Sequence, residues 1–233
     1  MRKSLPLLLG LLLVLACPSS KPVPTRPGPD TLGRPAQPAP ETAAQPVVAP
    51  QSQSPRAQST GGALKDTLAA TNLPENLFLT IKVKDYGTMK VQFYTKDAPK
   101  NVTNVANLAI KGFYNGLTFH RIVPGFVVQG GDPKGDGTGG PGYTVEAEIK
   151  RLHEKGSLAM ARTPDQVNPQ RRSSGSQFYL CLRPLPQLDN QYTVIGKLVE
   201  GMDVLDKLGQ VQTGPNDRPL TPVVMESVTV STQ

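Results

Sequence analysis

The sequence predicts a mainly β domain, an antiparallel sheet either closed or sandwiched and accompanied by two helices, behind a long stretch that cannot fold by itself. Three observations carry this reading. Short apolar runs with period-two alternation recur after Leu77, divided by Gly and Pro. Helical spacing occurs in only two places, without the regular strand-helix alternation of a parallel sheet. The 24 prolines among 233 residues are also unevenly spread, eleven of them falling between Pro18 and Pro55. That stretch of Pro, Ala, Gln, Ser and Thr has no apolar period, so it cannot bury enough surface to offset its ordering entropy.

At the N-terminus, Arg2-Lys3 precedes an apolar run from Leu5 to Ala16, followed by Cys17. A basic start and about a dozen apolar residues make a secretory signal, too short for a comfortable membrane span. Val14-Leu15-Ala16-Cys17 resembles the bacterial lipobox, in which the cysteine is lipidated and becomes the mature N-terminus. An ordinary signal peptide cut nearby and an N-terminal anchor helix are the alternatives. The expected organisation is a signal peptide at 1–16, a tether at 17–75 with a coil span of about 40 Å, and a folded domain at 76–233. The protein is therefore expected to be exported to the cell envelope and held to a membrane by lipid on Cys17. Cys181 is then left without a partner, which excludes a disulfide framework, and its place in Phe178-Tyr179-Leu180-Cys181-Leu182 makes it a buried strand cysteine.

Within the domain, Leu77, Leu79, Ile81 and Val83 alternate with polar residues, Asp85 to Thr88 forms a turn, and Met89, Val91 and Phe93 alternate again, giving a hairpin. Asp97 is placed as N-cap of a helix with Pro99 in its first turn; Val102, Val105, Ala106, Ala109 and Ile110 form the apolar face, and Gly112 stops it. Strands are expected at Thr118–Val123, Phe126–Gln129, Gly156–Ala161, Ser176–Leu182, Tyr192–Val199 and Val223–Val230, with a second helix at Met202–Leu208.

Several apparent motifs fail on context. Gly135 to Gly140 spells a dinucleotide fingerprint, but Pro141-Gly142 follows where a helix must begin to hold a pyrophosphate. Asp132, Asp136 and Gly137 sit like part of a calcium loop, yet Lys134 and Tyr143 occupy ligand positions. The two histidines, His120 and His153, have no cysteine or carboxylate set at ligand spacing, so no metal site is expected. Asn101-Val102-Thr103 is a glycosylation sequon lying on the predicted helix. The net charge of +7 includes no basic stripe interleaved with aromatics, which disfavours nucleic-acid binding.

What fold alone does not explain is the run Phe119-His120-Arg121-Ile122-Val123-Pro124-Gly125-Phe126-Val127-Val128-Gln129-Gly130-Gly131-Asp132. A similar mixture of polar and apolar residues returns in Met160-Ala161-Arg162 and Gly175-Ser176-Gln177-Phe178-Tyr179. In this order, and together with the hairpin, the helix and the segment Leu188 to Leu208, these pieces resemble the cyclophilin family of peptidyl-prolyl cis-trans isomerases over about residues 77 to 230. The resemblance implies an eight-stranded antiparallel closed barrel capped by two helices, with the active groove on its outer face. It implies that Arg121 is the catalytic group and that Phe126, Val127, Tyr179, Leu188 and Tyr192 form the pocket for the proline ring. Gln129 and the backbone at Ala161 and Arg162 would hold the flanking peptide, Gln177 would support the groove, and His120 would shape the surroundings of the arginine.

The expected partners are proline-containing polypeptides, bound by a monomer that needs no cofactor or metal. The alternative is a noncatalytic peptide-binding module that keeps the groove. The chain departs from the eukaryotic pattern at Val127, Arg162, Tyr179 and Tyr192. The tryptophan that contributes to cyclosporin binding is also missing, with Gln187 in its place, which argues against strong cyclosporin sensitivity. The loop from Thr163 to Ser174, carrying Arg171 and Arg172, is expected to border the groove.

Overall fold

The computed structural model describes residues 63–233; the expected signal peptide, Cys17 and the expected tether as far as residue 62 lie outside the described residues. In chain order the elements are β1 (Phe78–Val83), β2 (Gly87–Phe93), α1 (Pro99–Ile110), β3 (Arg121–Val123), β4 (Val127–Gly130), β5 (Thr144–Val145), β6 (Ser157–Met160), β7 (Ser173–Ser174), β8 (Phe178–Cys181), β9 (Val194–Glu200), α2 (Met202–Leu208) and β10 (Met225–Ser231). Short 3-10 turns occur at Pro186–Leu188 and Pro215–Asp217.

Eight strands form one antiparallel sheet in the order β10-β1-β2-β9-β6-β8-β4-β3, while β5 and β7 pair separately. The expected closure of the barrel does not occur: the sheet is an open half-barrel. Among the described residues its edge strands β10 and β3 are joined by no ladder; the segment before β3 meets the start of β10 through the isolated bridge Thr118–Val224 and three backbone hydrogen bonds, Gly116 N–H to Met225 O (2.8 Å), Met225 N–H to Leu117 O (2.8 Å) and Phe119 N–H to Val223 O (2.9 Å). The reason is local. Pro219 and Pro222 lie in the approach to β10 and can donate no ladder hydrogen bonds, and β3 shrinks to three residues before the Pro124-Gly125 turn.

The hairpin forms as its alternation predicts, with Leu79, Ile81, Val83, Met89, Val91 and Phe93 buried. The first helix begins differently. Its N-cap is Ala98, which offers no side-chain acceptor, and Asp97 instead bonds Arg151 at 2.6 Å. The cap comes from Glu148, whose carboxylate accepts the backbone N–H groups of Lys100 (3.1 Å) and Asn101 (2.9 Å). This satisfies two of the helix's orphan donors with negative charge at the positive end of its dipole. At the other end Gly112 (φ +74) follows the C-cap Lys111. The N–H of Gly112 reaches Ala109 O and that of Phe113 reaches Leu108 O, a Schellman closure.

Both faces of the central strands are covered. On β8, Phe178 and Leu180 enter the main core with β1, β2 and α1, whereas Tyr179 and Cys181 pack outward with Val127, Ala159, Leu185 and Val194 in a second cluster. The continuous apolar run of this strand follows from that arrangement. Cys181 is fully buried, and burial pushes its thiol up to about 12, the inert strand cysteine expected.

Packing begins earlier than residue 76. Leu64, Leu68 and Leu73 lie against the core, Ala63 bridges Ser231, and Asn107 of α1 clasps the backbone of Leu68 from both sides at 2.7 and 2.9 Å.

Candidate active site

Adjacent strands β3, β4, β6 and β8 share one surface, and the side chains alternating onto it converge on a cavity of about 210 Å³. Its floor is Phe126, Val127, Tyr179, Leu188 and Tyr192, and its polar rim is Arg121, Gln129, Ala161 and Arg162. Nine of the eleven groove residues expected from sequence therefore meet at one place. Gln177 stands behind Gln129 and lines an adjoining cavity of about 760 Å³ that also takes in Lys134, Tyr143 and Arg172. His120 does not line the groove. Its ring is buried, and neither nitrogen has a partner. Burial lowers its pKa, opposed in part by the Asp132 charge, so the imidazole is neutral near pH 7.

A line of hydrogen bonds ties the rim together. Gln177 Nε2 donates to the carbonyls of Gly137 (3.0 Å) and Gly139 (2.8 Å), which fixes its amide orientation and turns Oε1 toward Gln129 Nε2 at 3.1 Å. Gln129 Oε1 then faces Arg121 Nη1 at 3.4 Å. On its other side the arginine donates from Nε to Asp217 Oδ2 at 3.2 Å, with Nη2 at 3.1 Å from the same oxygen.

The glycine loop that anchors this line is organised by Asp132, which is 1% exposed and accepts the N–H groups of Lys134 (2.8 Å), Asp136 (3.2 Å) and Gly137 (2.6 Å). Burial alone would raise the Asp132 pKa, but the N–H groups of Lys134, Gly137 and Gly139 outweigh it and hold the carboxyl below its ordinary range. Gly131 before it has φ +81, and a Cβ there would sit 2.4 Å from Ser176 O, so only glycine lets the chain pass this close to the segment before β8. The segment that spells a nucleotide fingerprint is thus a scaffold for Gln177.

Beneath the floor, His153 Nδ1 lies 2.9 Å from Asp189 Oδ1 and its Nε2 lies 3.0 Å from the Tyr179 hydroxyl. The carboxylate sets the tautomer, Nδ1–H donating, so Nε2 accepts from Tyr179. Burial lowers the His153 pKa against the pull of Asp189, and burial raises that of Tyr179, so both are neutral. The Tyr179 hydroxyl thus has its partner in His153. The Arg162 guanidinium lies 4.5 Å from the Tyr192 ring centroid, donates to Gln191 O at 2.9 Å and pairs with Asp165, so it braces the floor. Ala161 donates its N–H to Gln177 O and accepts from Ser174 N–H at 2.7 Å; one lone pair of its carbonyl remains. The 163–174 loop is pinned by Arg171 to Asn190 O and by Arg172 to Thr144.

Sequence reasoning missed Asp132 as an organiser, weighed His153 only as a metal ligand, and missed Glu148, Asp189 and Asp217 altogether. Asp132 acts within its own loop, on N–H groups two to five residues ahead, while the other four work across long sequence separations and carry no local pattern.

The arrangement is a small, partly apolar pocket beside an arginine and a glutamine held by hydrogen bonds, and comparison with known proteins shows the family to which it belongs. Residues 78–230 match the family described as cyclophilin type peptidyl-prolyl cis-trans isomerase. The chain is 45% identical over 143 residues to a peptidyl-prolyl cis-trans isomerase of Helicobacter pylori, covering 59% of this chain and 83% of the relative. It is 43% identical over 124 residues to peptidyl-prolyl cis-trans isomerase B of Bacillus subtilis, covering 52% and 82%. Among solved structures, a cyclophilin type isomerase of Cryptosporidium parvum superposes with a TM-score of 0.62 at 29% identity, covering 66% of this chain and 96% of that one. A second structure of that protein, in the presence of the dipeptide Ala-Pro, gives 0.61 at 29% identity, covering 66% and 98%. The chain belongs to the cyclophilin-type peptidyl-prolyl cis-trans isomerases.

Proposed function

We propose that Arg121 drives X-Pro rotation in this enzyme and that the domain does so at the cell envelope, on exported polypeptides that are folding. The observation that carries the first part is the position of Arg121, on the rim of the apolar cavity and held by Gln129 and Asp217. An X-Pro amide isomerises over a barrier of about 18 to 20 kcal/mol, and bringing tens of seconds down to milliseconds takes about 5 to 6 kcal/mol. No bond is broken, so the task is to favour the twisted amide. As resonance is lost the proline nitrogen pyramidalises and gains a lone pair, to which a fixed guanidinium donates better than to the planar ground state. A charge-assisted hydrogen bond supplies about 1.5 to 3 kcal/mol. Seating the ring on Phe126, Val127, Tyr179 and Tyr192, with partial desolvation, supplies the remainder.

Arg121→Ala in the full chain is expected to lower kcat/KM on a proline peptide by about 10- to 150-fold, the rate equivalent of that one hydrogen bond. Activity within threefold of wild type would overturn the arginine mechanism.

The envelope assignment rests on Arg2-Lys3, the apolar run to Ala16 and the lipobox-like Val14 to Cys17, with the Pro-rich stretch as a tether. Cys17→Ser is expected to move the protein from the membrane fraction to the soluble fraction. Retention of the variant in the membrane fraction would count against lipidation.

A further inference from the structure

The turn at Pro215–Asp217 lies far from Arg121 in sequence yet reaches the same rim. Asn216 and Asp217 both have left-handed backbone, φ 59 and 58, a conformation that two successive non-glycine residues rarely share. The turn is closed by Gly214 N–H to Arg218 O at 2.8 Å and by the Thr213–Pro219 bridge, so the geometry is fixed from both flanks. Its product is one carboxylate delivered to the Nε and Nη2 edge of Arg121, opposite the Gln129 contact on Nη1.

We propose that Asp217 is a positioning residue for isomerisation. It holds the plane of the Arg121 guanidinium so that the hydrogen bond to the proline nitrogen is aligned before the amide twists. This rests on the reading of Arg121 as the catalytic group. The argument is one of donors and freedom. A guanidinium has five N–H groups; Asp217 and Gln129 occupy three, leaving one on each Nη for substrate. The arginine side chain is 39% exposed and rises from a three-residue strand, so apolar packing alone does not fix its rotamer. A flexible arginine would have to be ordered in every turnover, whereas one clamped at both edges is ordered in advance. The backbone conformation at Asn216 and Asp217 is the kind that persists where surrounding structure imposes it, and it clusters at functional sites.

The test is steady-state kinetics on a proline peptide with the full chain, for Asp217→Ala, Asp217→Asn, Arg121→Ala and the double variant Arg121→Ala/Asp217→Ala. Asp217→Ala is expected to lower kcat about tenfold with KM within twofold, and Asp217→Asn, which keeps an acceptor but no charge, to lose about threefold. In the Arg121→Ala background, removing Asp217 is expected to change kcat by less than twofold, because the carboxylate acts only through the arginine. The Arg121 Nε–Hε resonance is expected to shift or broaden in Asp217→Ala. A kcat for Asp217→Ala within twofold of wild type or above it would overturn the proposal, as would an equal loss in both backgrounds or a loss confined to KM. If Arg121→Ala itself is as active as wild type, the arginine mechanism fails and this inference with it; a deficient Arg121→Ala beside a fully active Asp217→Ala removes this inference alone.

Discussion

Phe178→Ala is expected to cost about 3 to 5 kcal/mol, near the limit a domain of this size survives. The ring is fully buried on β8 and meets Tyr114 edge-on at 5.5 Å and Phe119 at 6.4 Å. Truncation removes transfer energy and leaves a cavity between β8, the Tyr114 turn and the segment before β3, where surrounding strands have little room to collapse. The next residue along, Tyr179, is part of the floor of the cavity beside Arg121, so loosening the strand from beneath also loosens that cavity. A shift of roughly 10 °C in Tm is expected, with Phe178→Leu recovering much of it; a loss below about 1 kcal/mol would show that the core here repacks freely.

Asp132→Ala is expected to be nearly as severe, about 3 kcal/mol, and to lower isomerase activity further than stability explains. The carboxylate accepts three backbone N–H groups, and hydrogen bonds to a charged group contribute about 1.5 to 3 kcal/mol each, discounted because the freed loop amides regain water. Without it the loop no longer presents the Gly137 and Gly139 carbonyls to Gln177, and the line through Gln129 to Arg121 loses its far anchor. The pH dependence has a definite sign. The Asp132 carboxyl titrates lower in the folded state than in the unfolded one, so its contribution is complete above about pH 4, the ordinary aspartate range, and is lost as pH falls through the folded value. Denaturant titrations at pH 7 and below pH 3 are expected to show wild type and Asp132→Ala converging in acid; a constant gap between them would contradict this account.

The parts of this molecule legible in sequence are those governed by near neighbours. Alternation between Leu77 and Phe93 gave the hairpin, and 3.6-residue spacing gave both helices. The Phe119 to Asp132 run stood out because arginine and glutamine in an apolar strand need a reason, and the family resemblance it carries is what implied a groove there. What stayed hidden depends on meetings across the chain. Asp97 has the right chemistry for an N-cap, but Glu148, 47 residues beyond Asn101, occupies that place. Tyr179 read as a departure in the pocket floor, and only the fold shows His153 beneath it. Asp217 sits in a stretch of Gly, Pro, Asn and Asp that reads as an ordinary loop, and nothing local connects it to Arg121, 96 residues earlier. Closure of the barrel was expected by family resemblance, and it failed on a detail of the edges, where short β3 and the prolines before β10 leave an isolated bridge and three backbone hydrogen bonds in place of a ladder.

The placement of β1 between β10 and β2 bears on when the enzyme can exist at all. The first strand of the domain pairs along its length with the last, Phe78 opposite Ser231, so half of its hydrogen bonds wait for residues at the far end of the chain. A ribosome or a translocation channel delivers those residues last. The catalyst of a slow folding step is thus itself unable to complete its fold until its whole length has emerged, and during that interval the exposed edges of β1 and β2 are open to pairing with other chains.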